Sequence, residues 1–357
     1  MEGGLNMEND DWDVEKLEDA DDEIESTVYQ ISNYPADITL RGYLDKNKTE
    51  QLVIPEFQRN YVWDQRKASK LIESFLLGLP VPGVFLYKVR NSNKLSIVDG
   101  QQRIMSAIRF FNNRFDEKIF RLTNVHSKWN NKTYDELDEG DRYLLDDTVL
   151  RATVIQQLDP ADDSSIYRIF ERLNTGGINL NAMEIRRCVY YGEFIGFLER
   201  LNENSSWRII LSKPLLDKRL RDTELVLRLI SLQYRWNAYE KPMKTFLNSF
   251  VSHVNRMSDS DRVSFLARVE ADFSRTVDAI VQHFGEKPFH IRGPMNYAVL
   301  DSVFSAVASL DVIPDDIGER YLALLSDSSY IAAATINTSD SKTLMLRFTK
   351  AFKYIRG

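Results

Sequence analysis

The sequence predicts an α+β fold, in which a small domain of strands and helices precedes an all-helical domain. Strand-type segments occur only before residue 160, and helical periodicity dominates from residue 164 onward. At Asp99–Gly100 a strand pattern changes directly into a helix pattern, which is typical of a compact α+β unit. The predicted organisation is an acidic disordered tail at 1–26, an α+β domain at 27–160 and a helical domain at 161–357.

The α+β domain is expected to alternate short strands with helices. Asp64 is a plausible N-cap for a helix that ends at Gly78. The strand at 84–89 and the strand that ends at Asp99 are separated by turn residues, so they predict a hairpin. Two more strands are predicted at 52–54 and 150–158, and a helix at 135–145. Beyond Asp159–Pro160, helices are predicted at 164–173, 182–191, 193–202, 223–236, 244–257, 261–283, 296–310, 317–325 and 342–355.

Composition excludes several classes of protein. No apolar run approaches the roughly 20 residues of a membrane-spanning helix, and the acidic N-terminus is unlike a signal peptide, so a cytoplasmic location is predicted. A single cysteine excludes internal disulfides and multi-cysteine zinc sites. The four histidines are scattered, and the chain has neither a GxSxG nucleophile elbow nor a GxxxxGK[ST] phosphate loop.

The charge of the chain is divided unevenly. Residues 1–26 contain twelve acidic residues and one lysine, so their net charge is −11. Because the whole chain has a net charge of −7, residues 27–357 have a net charge of +4. Residues 1–26 are interpreted as a solvated, disordered tail. The alternative is that this acidic segment covers a basic groove on the rest of the chain or on a partner. A basic run, Lys218, Arg219 and Arg221, is compatible with nucleic-acid binding or with a solvated helix start.

The segment KLSIVDGQQRIMSAIRFF, at 94–111, is the most informative part of the chain. Asp99 stands where an N-cap is expected, and Gln102 follows at the spacing of a capping box. A helix start also offers N–H groups and the positive end of a dipole, and Arg103 adds a fork of charged donors. A capped helix with Arg103 in solvent and a phosphate site are both compatible with this pattern.

Three polar stretches, IPEFQRNYVW, IVDGQQRIMSAIRFF and FERLNTGGINLNAMEIRR, occur in that order. In the third, Asn181 and Glu184 have the spacing of a second capping box. Together the three strongly resemble the N-terminal domain family of GmrSD-type restriction enzymes, over most of residues 50–300. The resemblance implies a ParB- and sulfiredoxin-like α+β fold followed by helices, with binding and hydrolysis of nucleoside triphosphates and sensing of modified DNA in antiviral defence.

Position by position, the resemblance also implies site residues. Catalysis falls on Asp99, Gln101, Gln102 and Arg103, and nucleotide binding on Gln58, Arg59, Gly100, Arg172, Asn174, Gly177 and Glu184. Arg59 and Arg103 would neutralise the triphosphate. Gln101 or Gln102 would orient a water, and Asp99 would bind Mg²⁺ or act as a base. Asn174 and Glu184 would complete the metal or ribose contacts.

The sequence departs from the family in one respect. Many members carry a C-terminal HNH-type nuclease domain, and no histidine-bearing nuclease segment follows the helical region here. The leading hypothesis is a sensor or switch of bacterial defence that binds and hydrolyses GTP or ATP with Mg²⁺. It would work away from membranes and with a separate effector protein. Modified or phage DNA and further copies of the chain, in a homo-oligomer, are the other candidate partners.

Two alternatives come from other classes of protein. A DNA-binding protein or nuclease would use the ParB-like surface directly, and the mildly basic body is compatible with it. A structural adaptor would use the same motif residues only as caps and buried ion pairs.

Overall fold

The computed structural model describes residues 31–54, 61–89, 92–157, 167, 169, 181–190, 192–291 and 293–357. They form two compact units, one within 27–180 and one within 181–357. The first is mixed α+β and the second is helical, which confirms the predicted fold class. The predicted tail and the boundary near residue 160 lie outside the described residues. So does the predicted helix at 164–173, apart from residues 167 and 169.

The first unit is built on a five-stranded mixed sheet with the strand order β1-β7-β3-β4-β2. Its elements are β1 Ile31–Thr39, α1 Leu40–Lys48, β2 Leu52–Val53, α2 Gln65–Leu76, β3 Val84–Lys88, β4 Leu95–Asp99, α3 Gln101–Phe111, β5 Arg114–Phe115, β6 Lys118–Ile119, α4 Glu139–Asp147 and β7 Val149–Gln157. Strands β3 and β4 are antiparallel, as the hairpin prediction requires, whereas β3 and β7 are parallel. Strands β5 and β6 form a separate small hairpin.

Apolar periodicity sets the core of this unit. Helix α2 buries Ala68, Ile72, Phe75 and Leu76, and α3 buries Ile104, Ala107, Ile108 and Phe111, as their spacing predicts. The Asp64 carboxylate accepts the N–H of Lys67 at 2.7 Å, which confirms the predicted N-cap of α2. Gly78 follows that helix with a φ of +66°, the left-handed conformation expected of a helix stop.

Strand β1 is absent from the predicted elements. It pairs antiparallel with β7 from Ile31↔Gln157 to Thr39↔Val149, at the edge of the sheet. Its sequence contains Asn33, Pro35 and Asp37, which read as turn residues. An edge strand tolerates proline because one side of its backbone needs no partner strand, so composition alone hides this element.

The passage from β4 to α3 corrects the predicted cap. Gly100, not Asp99, is the N-cap residue of α3, with a φ of +94°. A Cβ atom on Gly100 would lie 2.3 Å from Cγ1 of Val84, so no larger residue fits between the two strands. The sharp turn therefore excludes Asp99 from the cap position, and Gln102 forms no capping box with it.

The second unit consists of helices and their connections in its described residues. They are α5 Ala182–Val189, α6 Glu193–Asn202, α7 Ser205–Leu211, α8 Arg221–Arg235, α9 Met243–Asn255, α10 Asp259–His283, α11 Tyr297–Ala308, α12 Ile317–Leu325, α13 Ser328–Ala333 and α14 Ser341–Arg356. The short helices α7 and α13 are not among the predicted ones. None of the described helices of the chain has the length and apolarity needed to cross a membrane.

Ion pairs lie in the core of the helical unit. Arg228 on α8 binds Asp301 on α11 through two nitrogens, at 2.9 Å from Nε and 2.7 Å from Nη2 to the same oxygen. Arg186 on α5 contacts Glu224 on α8 at 2.7 Å. All four side chains are buried, so each pair depends on its partner for the interactions that water would otherwise supply.

We expect Asp301→Asn to lower the free energy of unfolding by about 3–5 kcal/mol, because it leaves buried guanidinium charge without its carboxylate. Denaturant titration of the full chain measures the loss. Asp316→Asn is the matched control, since it removes an exposed pair with Arg320 and should cost about 0.5 kcal/mol or less. Equal losses in the two variants would contradict the buried role of Asp301.

We expect Gly100→Ala to destabilise the first unit by about 2–4 kcal/mol, from a left-handed alanine plus overpacking against Val84. Gly78→Ala is the control, because Gly78 also has a positive φ but a Cβ atom added there would meet open space within 4 Å. That variant should lose about 1 kcal/mol. Denaturant titration of both variants separates the steric cost from the backbone cost, and a Gly100→Ala loss no larger than the control would rule out the close contact.

Candidate functional site

The candidate site lies where β4 passes into α3, and its central contact joins Asp99 to Arg103. The Arg103 Nη2 atom lies 2.6 Å from Oδ2 of Asp99. Its Nη1 atom donates to the carbonyl oxygens of Pro82 and Gly83, at 2.7 and 2.8 Å. The guanidinium therefore ties the first turn of α3 to the end of β4 and to the segment that enters β3.

The two charged side chains differ in their access to solvent. Arg103 is 17% exposed, whereas Asp99 is 48% exposed. The terminal nitrogens of Arg103 are engaged with protein oxygens, so its fork is not presented to a phosphate in this conformation. The Asp99 carboxylate is the group at this junction that a ligand or a metal ion can reach.

Helix α3 also holds the segment that follows the first polar stretch. The Gln102 Oε1 atom accepts the backbone N–H groups of Val62 and Trp63, both at 3.1 Å. One turn further, the Ser106 hydroxyl lies 2.7 Å from the hydroxyl of Tyr61. The first and second polar stretches therefore meet on one face of α3.

Aromatic and cationic groups extend this contact along the helix. The guanidinium of Arg109 lies 3.9 Å from the centre of the Tyr61 ring, within the range of a cation–π interaction. Burial raises the pKa of Tyr61, while the hydrogen bond with Ser106 and the charge of Arg109 act in the opposite direction. The Tyr61 hydroxyl is therefore neutral near pH 7 and serves to anchor the segment.

A second tyrosine lies close enough to sense the site charge. Burial raises the pKa of Tyr43, and the positive charge of Arg103 acts against that rise. The Tyr43 hydroxyl donates to the carbonyl of Leu150 at 3.0 Å. This phenol is a core hydrogen-bond donor and not a candidate acid or base near neutral pH.

The predicted nucleotide-binding residues are described only in part. Gln58, Arg59, Arg172, Asn174 and Gly177 lie outside the described residues. Gln101 begins α3 and is half-buried, next to the Gly100 turn.

Glu184 lies in the helical unit, where its carboxylate accepts the N–H of Asn181 at 2.7 Å. The Asn181 side chain accepts the N–H of Glu184 at 2.9 Å, which confirms the predicted capping box at the start of α5. Glu184 also binds Arg219 at 3.1 Å, so its buried carboxylate serves the local fold.

The three residues of the predicted basic run differ in their burial and in their ion pairs. Lys218 is exposed, and Arg219 is shared with Glu184. Arg221 is largely buried, with its Nε atom 2.9 Å from Asp217. Burial alone would raise the pKa of Asp217, but hydrogen bonds from Arg221 hold it below its usual range. Lys218 is therefore exposed without a role in these pairs, and the Arg219 side chain is partly exposed beside Glu184.

No group of three or more histidine, cysteine or acidic residues that could hold a metal occurs in the described ranges. A resident metal centre of that kind would need more carboxylates or imidazoles than Asp99 supplies. Mg²⁺ that arrives with a nucleotide needs fewer, because it keeps several waters and commonly takes one or two carboxylates plus phosphate oxygens.

Sequence reasoning missed Ser106 and Arg109 as members of the site region. They follow Gln102 at i+4 and i+7, so the helical period places all three on one face of α3. That spacing is a usable signal. The acceptors of Arg103 are backbone carbonyls of Pro82 and Gly83, and no residue type in the sequence indicates them.

Comparison with known proteins gives one family. The family described as GmrSD restriction endonuclease, N-terminal domain, matches residues 40–191. Neither a curated protein nor a solved structure matches the chain significantly, so the predicted likeness to the ParB and sulfiredoxin-like fold stays a prediction. The matched range includes the Gly100 turn, the Asp99–Arg103 pair and the Asn181–Glu184 capping box, in agreement with the resemblance of the three polar stretches. Residues 40–191 are therefore an N-terminal domain of the GmrSD restriction endonuclease type, which connects the chain with restriction-type defence.

Proposed function

We propose that the chain is a nucleoside-triphosphate-binding and hydrolysing switch of restriction-type defence, with Mg²⁺ and nucleotide at the β4–α3 junction. The observation that carries the proposal is the half-exposed Asp99 carboxylate beside the first turn of α3. ATP and GTP are both candidates. The GmrSD-type domain and the meeting of two polar stretches on α3 support the same location.

Asp99 is assigned the role of Mg²⁺ ligand in this proposal. A carboxylate attracts Mg²⁺ through charge, and the ion in turn neutralises the phosphate oxygens that Asp99 would otherwise repel. When Mg²⁺ binds, the Asp99 carboxylate would either move away from Arg103 or contact Arg103 and the ion at the same time. Arg103 is assigned as a positioning residue, since its contacts with Asp99, Pro82 and Gly83 fix the carboxylate at the end of β4.

Gln102 is assigned a second positioning role. Its Oε1 atom fixes Val62 and Trp63, which follow directly on the stretch that contains Gln58 and Arg59. We propose Arg59 as the cation for the phosphates and Gln58 as a polar contact. In the same proposal Gln101 orients the attacking water, because Gln101 is the first residue of α3 and lies next to Asp99 and Gly100 in the chain.

Asp99→Asn tests the site most directly. We expect Mg²⁺-dependent nucleotide affinity to fall at least tenfold, about 1.4 kcal/mol, because the neutral amide is a poor Mg²⁺ ligand. Turnover should fall by roughly 10²-fold or more. Calorimetric titration of ATP and GTP, with Mg²⁺ and with EDTA, measures the first effect and phosphate release the second.

Asp138→Asn is the matched control for that experiment. Asp138 forms an exposed ion pair with Lys132, at 3.2 Å, and neither residue belongs to the candidate site. Its variant should bind nucleotide as the wild type does. If Asp99 serves only to hold Arg103, then Asp99→Asn frees the guanidinium and raises nucleotide affinity in EDTA, and that result would overturn the proposed Mg²⁺ role.

Gln102→Leu tests whether the anchored segment belongs to the site. We expect weaker nucleotide binding with little loss of overall stability, because the variant releases the N–H groups of Val62 and Trp63 to solvent. Gln102→Glu keeps an acceptor oxygen at the same place and should retain most of the affinity. Equal affinities in the wild type and both variants would show that this segment does not contact nucleotide.

The competing function, a DNA-binding protein or nuclease, gives a different pattern in the same variants. DNA binding would then fall steeply with salt and ignore added nucleotide. Fluorescence anisotropy of a labelled duplex, measured with and without ATP or GTP, separates the two functions. Nucleotide-independent DNA binding together with no nucleotide affinity would favour the competing function.

A further inference from the structure

We propose that the helical unit binds a small monovalent anion in its core, beside Arg347 on α14. Arg347 is fully buried. Its Nη1 atom donates to the carbonyl oxygens of Ala333 and Thr338, at 3.1 and 3.0 Å. Its Nε and Nη2 atoms are buried and have no hydrogen-bond partner among the described residues.

The two unpartnered nitrogens form one edge of the guanidinium. The N–H groups of Nε and Nη2 are parallel, and this edge is the one that binds two-oxygen anions in bidentate fashion. Arg228 uses the same edge to bind Asp301. Asp301 lies 4.0 Å from Nη2 of Arg347, but its carboxylate is already held by Arg228. The equivalent edge of Arg347 therefore has the donors of an anion site.

The charges around Arg347 do not balance among the described residues. Two buried arginines, Arg228 and Arg347, face one buried carboxylate, Asp301. Arginine stays protonated in proteins, so the cluster keeps one positive charge that water does not reach. An unpaired buried charge is strongly unfavourable, and one monovalent anion removes the imbalance.

A further unpartnered group lies on the neighbouring helix. The Ser305 hydroxyl is buried on α11 and has no hydrogen-bond partner among the described residues. Ser305 follows Asp301 by one turn, so both lie on the same face of α11, the helix that packs against α14. In the proposed site this hydroxyl joins the Nε–Nη2 edge as a donor to an anion such as chloride, nitrate or formate.

Thermal unfolding of the full chain at constant ionic strength tests this site. We expect saturating chloride, bromide, nitrate or formate to raise the Tm by about 5 °C relative to gluconate, a much larger anion. Arg347→Met should abolish the difference between anions, and Ser305→Ala should weaken it. Arg356→Met is the control, because Arg356 lies exposed on the same helix and its loss should leave the difference intact.

Two direct measurements keep the proposal testable if Arg347→Met does not fold. Chloride NMR of the wild type should show excess line broadening that added nitrate or formate reverses. Crystals soaked in bromide should show an anomalous peak within hydrogen-bond distance of Nε and Nη2 of Arg347. A Tm that is the same in chloride and gluconate, or a bromide-soaked crystal with no peak at Arg347, would overturn the anion site and leave a buried water as the partner of these donors.

Discussion

The close approach of Gly100 to Val84 is the constraint on which the first unit depends. Because no Cβ fits there, residue 100 must be glycine, and its φ of +94° turns the chain from β4 into α3. Asp99 then remains on the strand, and Arg103 in the first helical turn reaches back to it. The candidate site is thus a consequence of one steric contact between neighbouring strands.

The sequence correctly predicts the structural features that depend on residues close together in the chain. The apolar stripes of α2 and α3 follow from helical period alone, and the Asp64 cap and the Asn181–Glu184 capping box follow from spacing of three residues. The helices at 193–202 and 317–325 have the predicted bounds. Each of these features needs only information within one or two turns.

The errors arise where a distant part of the chain decides. Asp99 is a good capping residue, but the left-handed turn makes Gly100 the cap, and the contact of Gly100 with Val84 on the neighbouring strand requires a glycine there. Strand β1 exists because β7 supplies its partner, although its own residues favour a turn. The partners of Arg103 are backbone carbonyls, which every residue possesses, so nothing in the sequence distinguishes Pro82 and Gly83.

Arginines in this protein show why residue type alone does not locate a ligand. The N–H groups of a guanidinium that already donate to protein oxygens stabilise the fold. Only its remaining N–H groups can bind a ligand. Both terminal nitrogens of Arg103 are engaged, so the reachable charge at the β4–α3 junction is the Asp99 carboxylate. In Arg347 the Nε and Nη2 atoms have no hydrogen-bond partner among the described residues. The exposed junction is therefore suited to a cation that arrives with phosphate, and the buried arginine to an anion.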